Sequence, residues 1–266
     1  MSQPWIAPPA RFLSGVSTQQ RKSLLGGFPL PNPATANIYF NDFNSYVAGD
    51  WTVTTVNSGT TALQALNGGS LLFTPGGTST NYQGITLNPA SFSITPGYRA
   101  WFAANITISD VAVTKAPSFV LGLTKGGPSA PTDGVYFTYA GGTATTVSAV
   151  IRASSTSSTI TGIATPVAAT SFTLGWFYDG APTPTLYFYT SAGLSNTAFS
   201  NPPITGGVMV AAASSDSSYT APNVLTNLPA AATVMAPQLY MVQPTTTTAP
   251  TIALDWMLCA AELARN

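Results

Sequence analysis

The sequence predicts an all-β protein, a two-sheet jelly roll built from about fourteen short strands. Three observations carry that prediction. From Asn37 onward the apolar pattern repeats every two residues rather than every 3.6. β-Branched and aromatic runs are cut at short intervals by Gly, Pro, Asn and Asp. Helix-forming composition is confined to Ala260 to Arg265, which excludes the helices of an α/β design.

The candidate strands of the first half are Ile38 to Phe40, Trp51 to Val56, Leu71 to Phe73, Tyr82 to Leu87, Phe92 to Thr95, Arg99 to Ile108 and Phe119 to Leu123. Those of the second half are Val135 to Tyr139, Val147 to Arg152, Phe172 to Tyr178, Thr185 to Thr190, Val208 to Ala211, Gln238 to Val242 and Ile252 to Leu258. Asp133-Gly134 and Asp179-Gly180 are turn dipeptides, the second a hairpin signal between two aromatic-rich runs. Residues 191–236, rich in Ser, Ala, Asn and Pro, read as a long surface loop.

Residues 1–36 differ in character. Pro4, Pro8, Pro9, Pro31 and Pro33 fix backbone angles and remove donors, so this stretch reads as an extended arm ahead of a sandwich over 37–266. Trp5, Ile6, Phe12, Leu24, Leu25 and Phe28 are too many apolar side chains for an inert tail. The arm therefore docks on something, either a partner or its own domain.

Apolar residues make up 45% of the chain, enough for a substantial core, while charged residues make up only 6%, against about 25% in typical soluble proteins. Eight basic and eight acidic residues give no net charge, and three of the basic ones, Arg11, Arg21 and Lys22, lie in the arm. So balanced a chain is a poor ligand for nucleic acid. Weak charge repulsion favours association, and a homo-oligomer is expected, trimer ahead of dimer. No apolar run approaches the roughly 20 residues of a membrane span. The N-terminus has no signal-peptide pattern, so the expectation is a chain kept in the cytoplasm where it is made. Cys259, in an apolar run and without a second cysteine, reads as a small buried filler.

The chain has no histidine, which removes the usual general base, the Ser-His and Cys-His pairs and the commonest zinc ligand. Asp42 and Asp50 are close in sequence, but Asp50 reads as a turn residue and the one glutamate, Glu262, sits near the C-terminal end. The Glu-x-Asp spacing that would project two acids from one strand face is absent. No enzyme activity, metal or cofactor is expected. Trp51, Trp101, Trp176, Tyr82, Tyr136, Tyr139, Tyr178, Tyr187 and Tyr189 could stack on sugars, though core or subunit contacts fit them better. In Trp176-Phe177-Tyr178 and Leu186-Tyr187-Phe188-Tyr189 both alternation sets are apolar, so a second sheet face must be covered by protein or lie partly exposed.

Ordered motifs add a resemblance. Ile38-Tyr39-Phe40-Asn41-Asp42-Phe43, Gly49-Asp50-Trp51-Thr52-Val53-Thr54-Thr55 and Gly68-Gly69-Ser70-Leu71-Leu72-Phe73 come first. Then follow Arg99-Ala100-Trp101-Phe102, Phe119 to Leu123, Asp133 to Phe137, Leu174 to Gly180 and Ile252 to Met257. Together, over residues 38–264, they resemble a family of virion structural proteins of tailed phages. The resemblance implies a concanavalin-like jelly roll acting as a capsid decoration, or cement, protein on the outer surface of the shell. Its implied partner is the major capsid protein, with Trp5, Ile6, Arg11, Phe12, Arg21, Lys22 and Phe28 of the arm as candidate contacts. The alternative is a carbohydrate- or receptor-binding module of a head fibre or tail, with a host surface glycan as partner.

Overall fold

The computed structural model describes residues 31–263 apart from 58, 66–67, 77–79, 113–114, 183, 191–207, 210–224, 226 and 244–249. Among the described residues fifteen strands form two antiparallel sheets. One contains β1 (Ala36–Asn41), β3 (Thr60–Gln64), β4 (Ser70–Thr74), β6 (Ala100–Ile108), β11 (Ser171–Tyr178), β12 (Leu186–Thr190), β13 (Val208–Met209) and β15 (Ile252–Glu262). Its order is β13-β12-β11-β6-β15-β4-β3, and β1 pairs with the C-terminal half of β15. The other contains β2 (Trp51–Thr55), β5 (Tyr82–Leu87), β7 (Ser118–Gly127), β8 (Ala130–Tyr139), β9 (Val147–Ala153), β10 (Thr156–Ala164) and β14 (Ala236–Val242). Its order is β10-β9-β8-β7-β14-β5-β2. The chain is a concanavalin-like jelly-roll sandwich, as its periodicity predicts.

Alternation decides what each strand buries. In β6, Phe102, Ala104 and Ile106 point into the sandwich beside Trp176, Leu174 and Phe172 of β11 and Cys259, Met257 and Leu254 of β15. Opposite them lie Phe119, Leu121 and Leu123 of β7, Val135, Phe137 and Tyr139 of β8, and Leu239 and Met241 of β14. The layers interlock through Phe137 and Phe188, edge to face at 5.8 Å. Trp176 Nε1 donates to the Val135 carbonyl at 3.1 Å, so the largest inward side chain leaves no donor orphaned. Cys259 is the buried filler expected, and burial pushes its thiol up.

The first three quoted motifs converge in space. Phe43, buried at φ 50°, packs on Trp51 at 6.1 Å, and the backbone of Gly69 passes against the Phe43 carbonyl. A Cβ on Gly69 would stand 2.3 Å from that oxygen.

Several expectations need correction. β3 and β10 were not expected; they are the polar edges of their sheets, where half-solvated Thr and Ser erase the apolar period. Phe92 to Thr95 makes no strand, only an isolated bridge from Phe92 to Met235. Ala260 to Glu262 extends β15 instead of starting a helix, because pairing with both β1 and β6 outweighs alanine's helix propensity. Asp133-Gly134 lies inside β8, and Asp133 Oδ1 accepts from Ser154 N at the β9–β10 turn. Asp179-Gly180 does turn the β11–β12 connection, with Asp179 Oδ1 accepting from Ala181 N and Thr185 N. Strand β1 begins at Ala36, one residue inside the expected arm. Most of the expected 191–236 loop lies outside the described residues, which there include β13 and residues 225 and 227–236.

Candidate functional site

The outward face of the eight-stranded sheet carries a second apolar layer. Register places Trp101 of β6 between Ala260 of β15 and Phe177 of β11, and Ala103 between Leu258 and Gly175. Phe177 faces Tyr187 of β12, and Gly175 faces Tyr189. On the far side, Ile38 and Phe40 of β1 stand opposite Ala260 and Leu258. The rings pack tilted or stacked, Trp101 with Phe177 at 5.5 Å and Phe177 with Tyr187 at 6.1 Å.

Gly175 matters to this layer because the Tyr189 ring lies over it; a Cβ there would be 2.2 Å from Tyr189 Cζ. Trp101 is 0% exposed, Tyr189 1% and Phe177 4%, while Phe40 at the β1 rim is 48% exposed. Burial pushes the Tyr189 phenol up, and Trp101 Nε1 is buried without a hydrogen-bond partner. Toward Asn105, Thr173 and Ser171 the same face turns polar, with Asn105 Nδ2 donating to Thr173 Oγ1 at 3.1 Å.

The outward face of the seven-stranded sheet is built differently. Val120, Tyr136, Val150 and Tyr240 form a small cluster with Tyr82 and Val242 at its edge. Tyr82 and Tyr240 are 5.3 Å apart. The β7–β8 hairpin closes over this face, since Gln238 Nε2 donates to the Pro128 carbonyl at 2.9 Å and Tyr240 bonds Ser129. Arg152 stands on the same face, paired across to Gly134, with its Nε buried and unpartnered.

Asp42 and Asp50, the two acids close in sequence, sit in different local settings. Asp50 ends a 3-10 turn over Ala48–Asp50, as its turn reading requires. Asp42 holds the Asn44 side chain, at 2.6 Å, and the acid near it is Asp255, the bulged residue of β15. Burial, and secondarily the Asp42 charge, raises the Asp255 carboxyl. That proximity escaped sequence reading because 213 positions separate the two residues. Glu262 is no loose tail residue. It grips Arg99 at 2.6 Å, accepts from Arg99 N at 2.8 Å, and so ties the start of β6 to the end of β15. Burial works to raise the Glu262 carboxyl, but the Arg99 bonds and charge outweigh it and hold the group below its ordinary value. Among the described residues no group of three His, Cys, Asp or Glu side chains could hold a metal.

Of the aromatic candidates, Trp51, Trp176, Tyr139 and Tyr178 belong to the central core, Trp101, Tyr187 and Tyr189 to the outward layer of the eight-stranded sheet, and Tyr82 and Tyr136 to the opposite face. Trp5, Ile6, Arg11, Phe12, Arg21, Lys22 and Phe28 lie outside the described residues. Sequence reading identified the two-sided character of β11 and β12. It missed that Trp101, Leu258, Ala260 and Ile38 join the same layer, which only strand order reveals.

No family model matches this sequence. No curated protein matches it either. Solved structures do match in shape. A protein of unknown function from Shewanella oneidensis MR-1 is similar with a TM-score of 0.54 at 12% identity, over 87% of this chain and 89% of that one. An endo-1,3-beta-glucanase from Streptomyces sioyaensis gives 0.53 at 14%, over 88% and 99%. The carbohydrate recognition domain of Emp46p gives 0.50 at 10%, over 82% and 93%. At such identities the likeness defines the fold class, the concanavalin-like jelly roll.

Proposed function

We propose that this chain is a capsid decoration protein of a tailed phage, a non-enzymatic cement that sits on the outer surface of the major capsid protein shell and bridges its subunits. The observation that carries the reading is the ordered series of motifs over residues 38–264, which resembles virion structural proteins of tailed phages, carried on a concanavalin-like jelly roll. Sparse charge, which favours association, supports the same reading. A cement protein works by area and repetition. Apolar burial is worth about 25 cal/mol per Å², and many copies on a symmetric shell add effective concentration to each contact.

The arm supplies the grip in this reading, with Arg11, Arg21 and Lys22 as its charged contacts. The full chain should co-sediment with shells of the major capsid protein, and reversing those three charges should remove it from the pellet. Undiminished binding of the reversed variant would refute the grip.

A glycan-binding module is the second reading, favoured by the Tyr82 and Tyr240 pair on the seven-stranded face, where Arg152 also stands with its Nε lacking a hydrogen-bond partner. Two of the structural neighbours, the glucanase and the Emp46p domain, are carbohydrate proteins by name. Glycan-array binding that disappears in Tyr82→Ala, together with no affinity for shells, would favour it over decoration.

A further inference from the structure

We propose that the β7–β8 hairpin is a lid over the outward face of the seven-stranded sheet, and that its opening uncovers a pyranose-binding floor of Tyr136, Gln238 and Tyr240. The lid stands on geometry, while the identity of its ligand rests on the glycan-binding reading of this face.

The hairpin does not continue the plane of its sheet. Gln238 of β14 stands opposite Gly122 of β7, and six residues of straight strand beyond Gly122 would carry Pro128 about 20 Å away. The Pro128 carbonyl instead lies 2.9 Å from Gln238 Nε2. Ser129 bonds Tyr240, which pairs with Val120, two positions deeper still. The tip therefore doubles back over the outward face.

The bend has a local cause. The pairing of β7 with β8 slips between Lys125 and Gly126, and Gly126 sits at φ 96°, a region that glycine enters without steric cost. Below the slip the hairpin is fixed. Thr132 Oγ1 donates to the Lys125 carbonyl at 3.3 Å, Ser155 N to the Thr132 carbonyl at 2.8 Å, and Ser154 N to Asp133 Oδ1 at 3.0 Å. Above it, Gly127 and Ser129 are exposed, Pro128 is half-buried, and no large apolar side chain anchors the tip. A segment of that composition, latched by the bonds to Gln238 and Tyr240, opens locally while the strands beneath it stay paired.

The floor under the latch has the chemistry of a sugar site. Register sets Tyr136, Gly122, Gln238, Thr86 and Thr52 in one line across five strands. Tyr240 lies in the next line beside Gly84, with the Tyr82 ring 5.3 Å away at the rim. Tyrosine rings offer a flat apolar surface with a polar tip, suited to the C–H face of a pyranose. The Gln238 amide both donates and accepts, as sugar hydroxyls require. With the lid closed, that amide donates to Pro128 and Tyr240 bonds Ser129, so lid and ligand compete for the same atoms. Neither line carries a charged side chain, which favours a hydroxyl-rich ligand over an ionic one.

The test compares the full chain with a variant in which residues 126–132 are replaced by Asn-Gly, a two-residue turn joining Lys125 directly to its partner Asp133. In hydroxyl-radical footprinting read by mass spectrometry, Tyr136 and Tyr240 should be protected in the wild type and oxidised several-fold faster in the variant. Trp176 should stay protected in both, as the control for folding. Unchanged protection of Tyr136 and Tyr240 overturns the lid. On an array of hexopyranose oligosaccharides the variant should bind about tenfold more tightly, because a closed lid lowers apparent affinity by the fraction of molecules that are open. Equal affinity overturns the gating. An uncovered floor that binds no glycan, in a variant whose footprint has risen, rejects the ligand class and the glycan-binding reading with it, so the lid and that reading fail separately. Should the variant lose its fold, Ser129→Ala in the otherwise native chain decides instead. It removes one latch, so oxidation of Tyr240 should rise while that of Trp176 does not, and an unchanged Tyr240 rejects the lid.

Discussion

The two outward faces of the sandwich begin from the same device, a tyrosine on one strand beside a glycine on the next, and end in different states. On the eight-stranded sheet Tyr189 lies over Gly175 and continues into Phe177, Trp101, Ala260 and Leu258, an uninterrupted apolar layer. On the seven-stranded sheet Tyr240 lies beside Gly84, but Gln238, Thr86 and Arg152 interrupt the cluster. There a hairpin of the same sheet completes the cover with two hydrogen bonds. One face is a continuous apolar layer buried like a second core; the other is a small cluster set among polar side chains.

The largest test of this contrast is Trp101→Ala. If the outward layer is packed like a core, the substitution should cost about 3–5 kcal/mol in urea unfolding, as for other fully buried tryptophans. Phe40→Ala, on the same layer but half exposed, should cost about 1 kcal/mol or less. Equal costs would erase the gradient from covered centre to open rim.

Next in size is a pair of glycine substitutions. Gly175→Ala puts a methyl 2.2 Å from the Tyr189 ring and should cost about 1–3 kcal/mol by displacing it. Gly84→Ala meets Tyr240 Cδ2 and the Leu239 carbonyl at 3.0 Å and Tyr240 Cα at 3.2 Å, contacts that shifts of a few tenths of an ångström in ring and backbone relieve, and should cost less. The reverse ranking in thermal unfolding would mean the seven-stranded face is the tighter one.

The smallest expected effect concerns the clamp at the corner of the apolar layer, where the Arg99 guanidinium also lies 5.7 Å from the Trp101 ring. The folded Glu262 carboxyl titrates below its unfolded value, so its contribution is complete above about pH 4.5 and is lost as pH falls through the lowered folded value. Because Arg99 is partly exposed, solvent screening leaves about 1 kcal/mol. Glu262→Gln should therefore lower stability slightly at pH 7 and flatten its fall in acid. An unchanged acid slope would show that the clamp contributes nothing.

The fold was legible wherever a strand is a run of apolar, aromatic or β-branched side chains. Tyr82 to Leu87 is found with its expected bounds, and Val147 and Phe172 mark strands within one residue. Legibility failed at edges such as β3 and β10, whose Thr and Ser carry no apolar period. It failed differently at the candidate site. The Phe177 and Tyr187 pattern announced a second apolar face, but Trp101, Leu258 and Ile38 joined it only through the order β12-β11-β6-β15-β1, a long-range fact no local window contains. The Asp42 and Asp255 neighbourhood escaped for the same reason.

The most direct measurement of the central claim is the position of the chain in the purified particle, by imaging together with its copy number. The account predicts jelly-roll density repeated over the outer surface of the shell, each copy contacting more than one major capsid subunit. A few copies confined to a tail or fibre, or none on the particle, would contradict it.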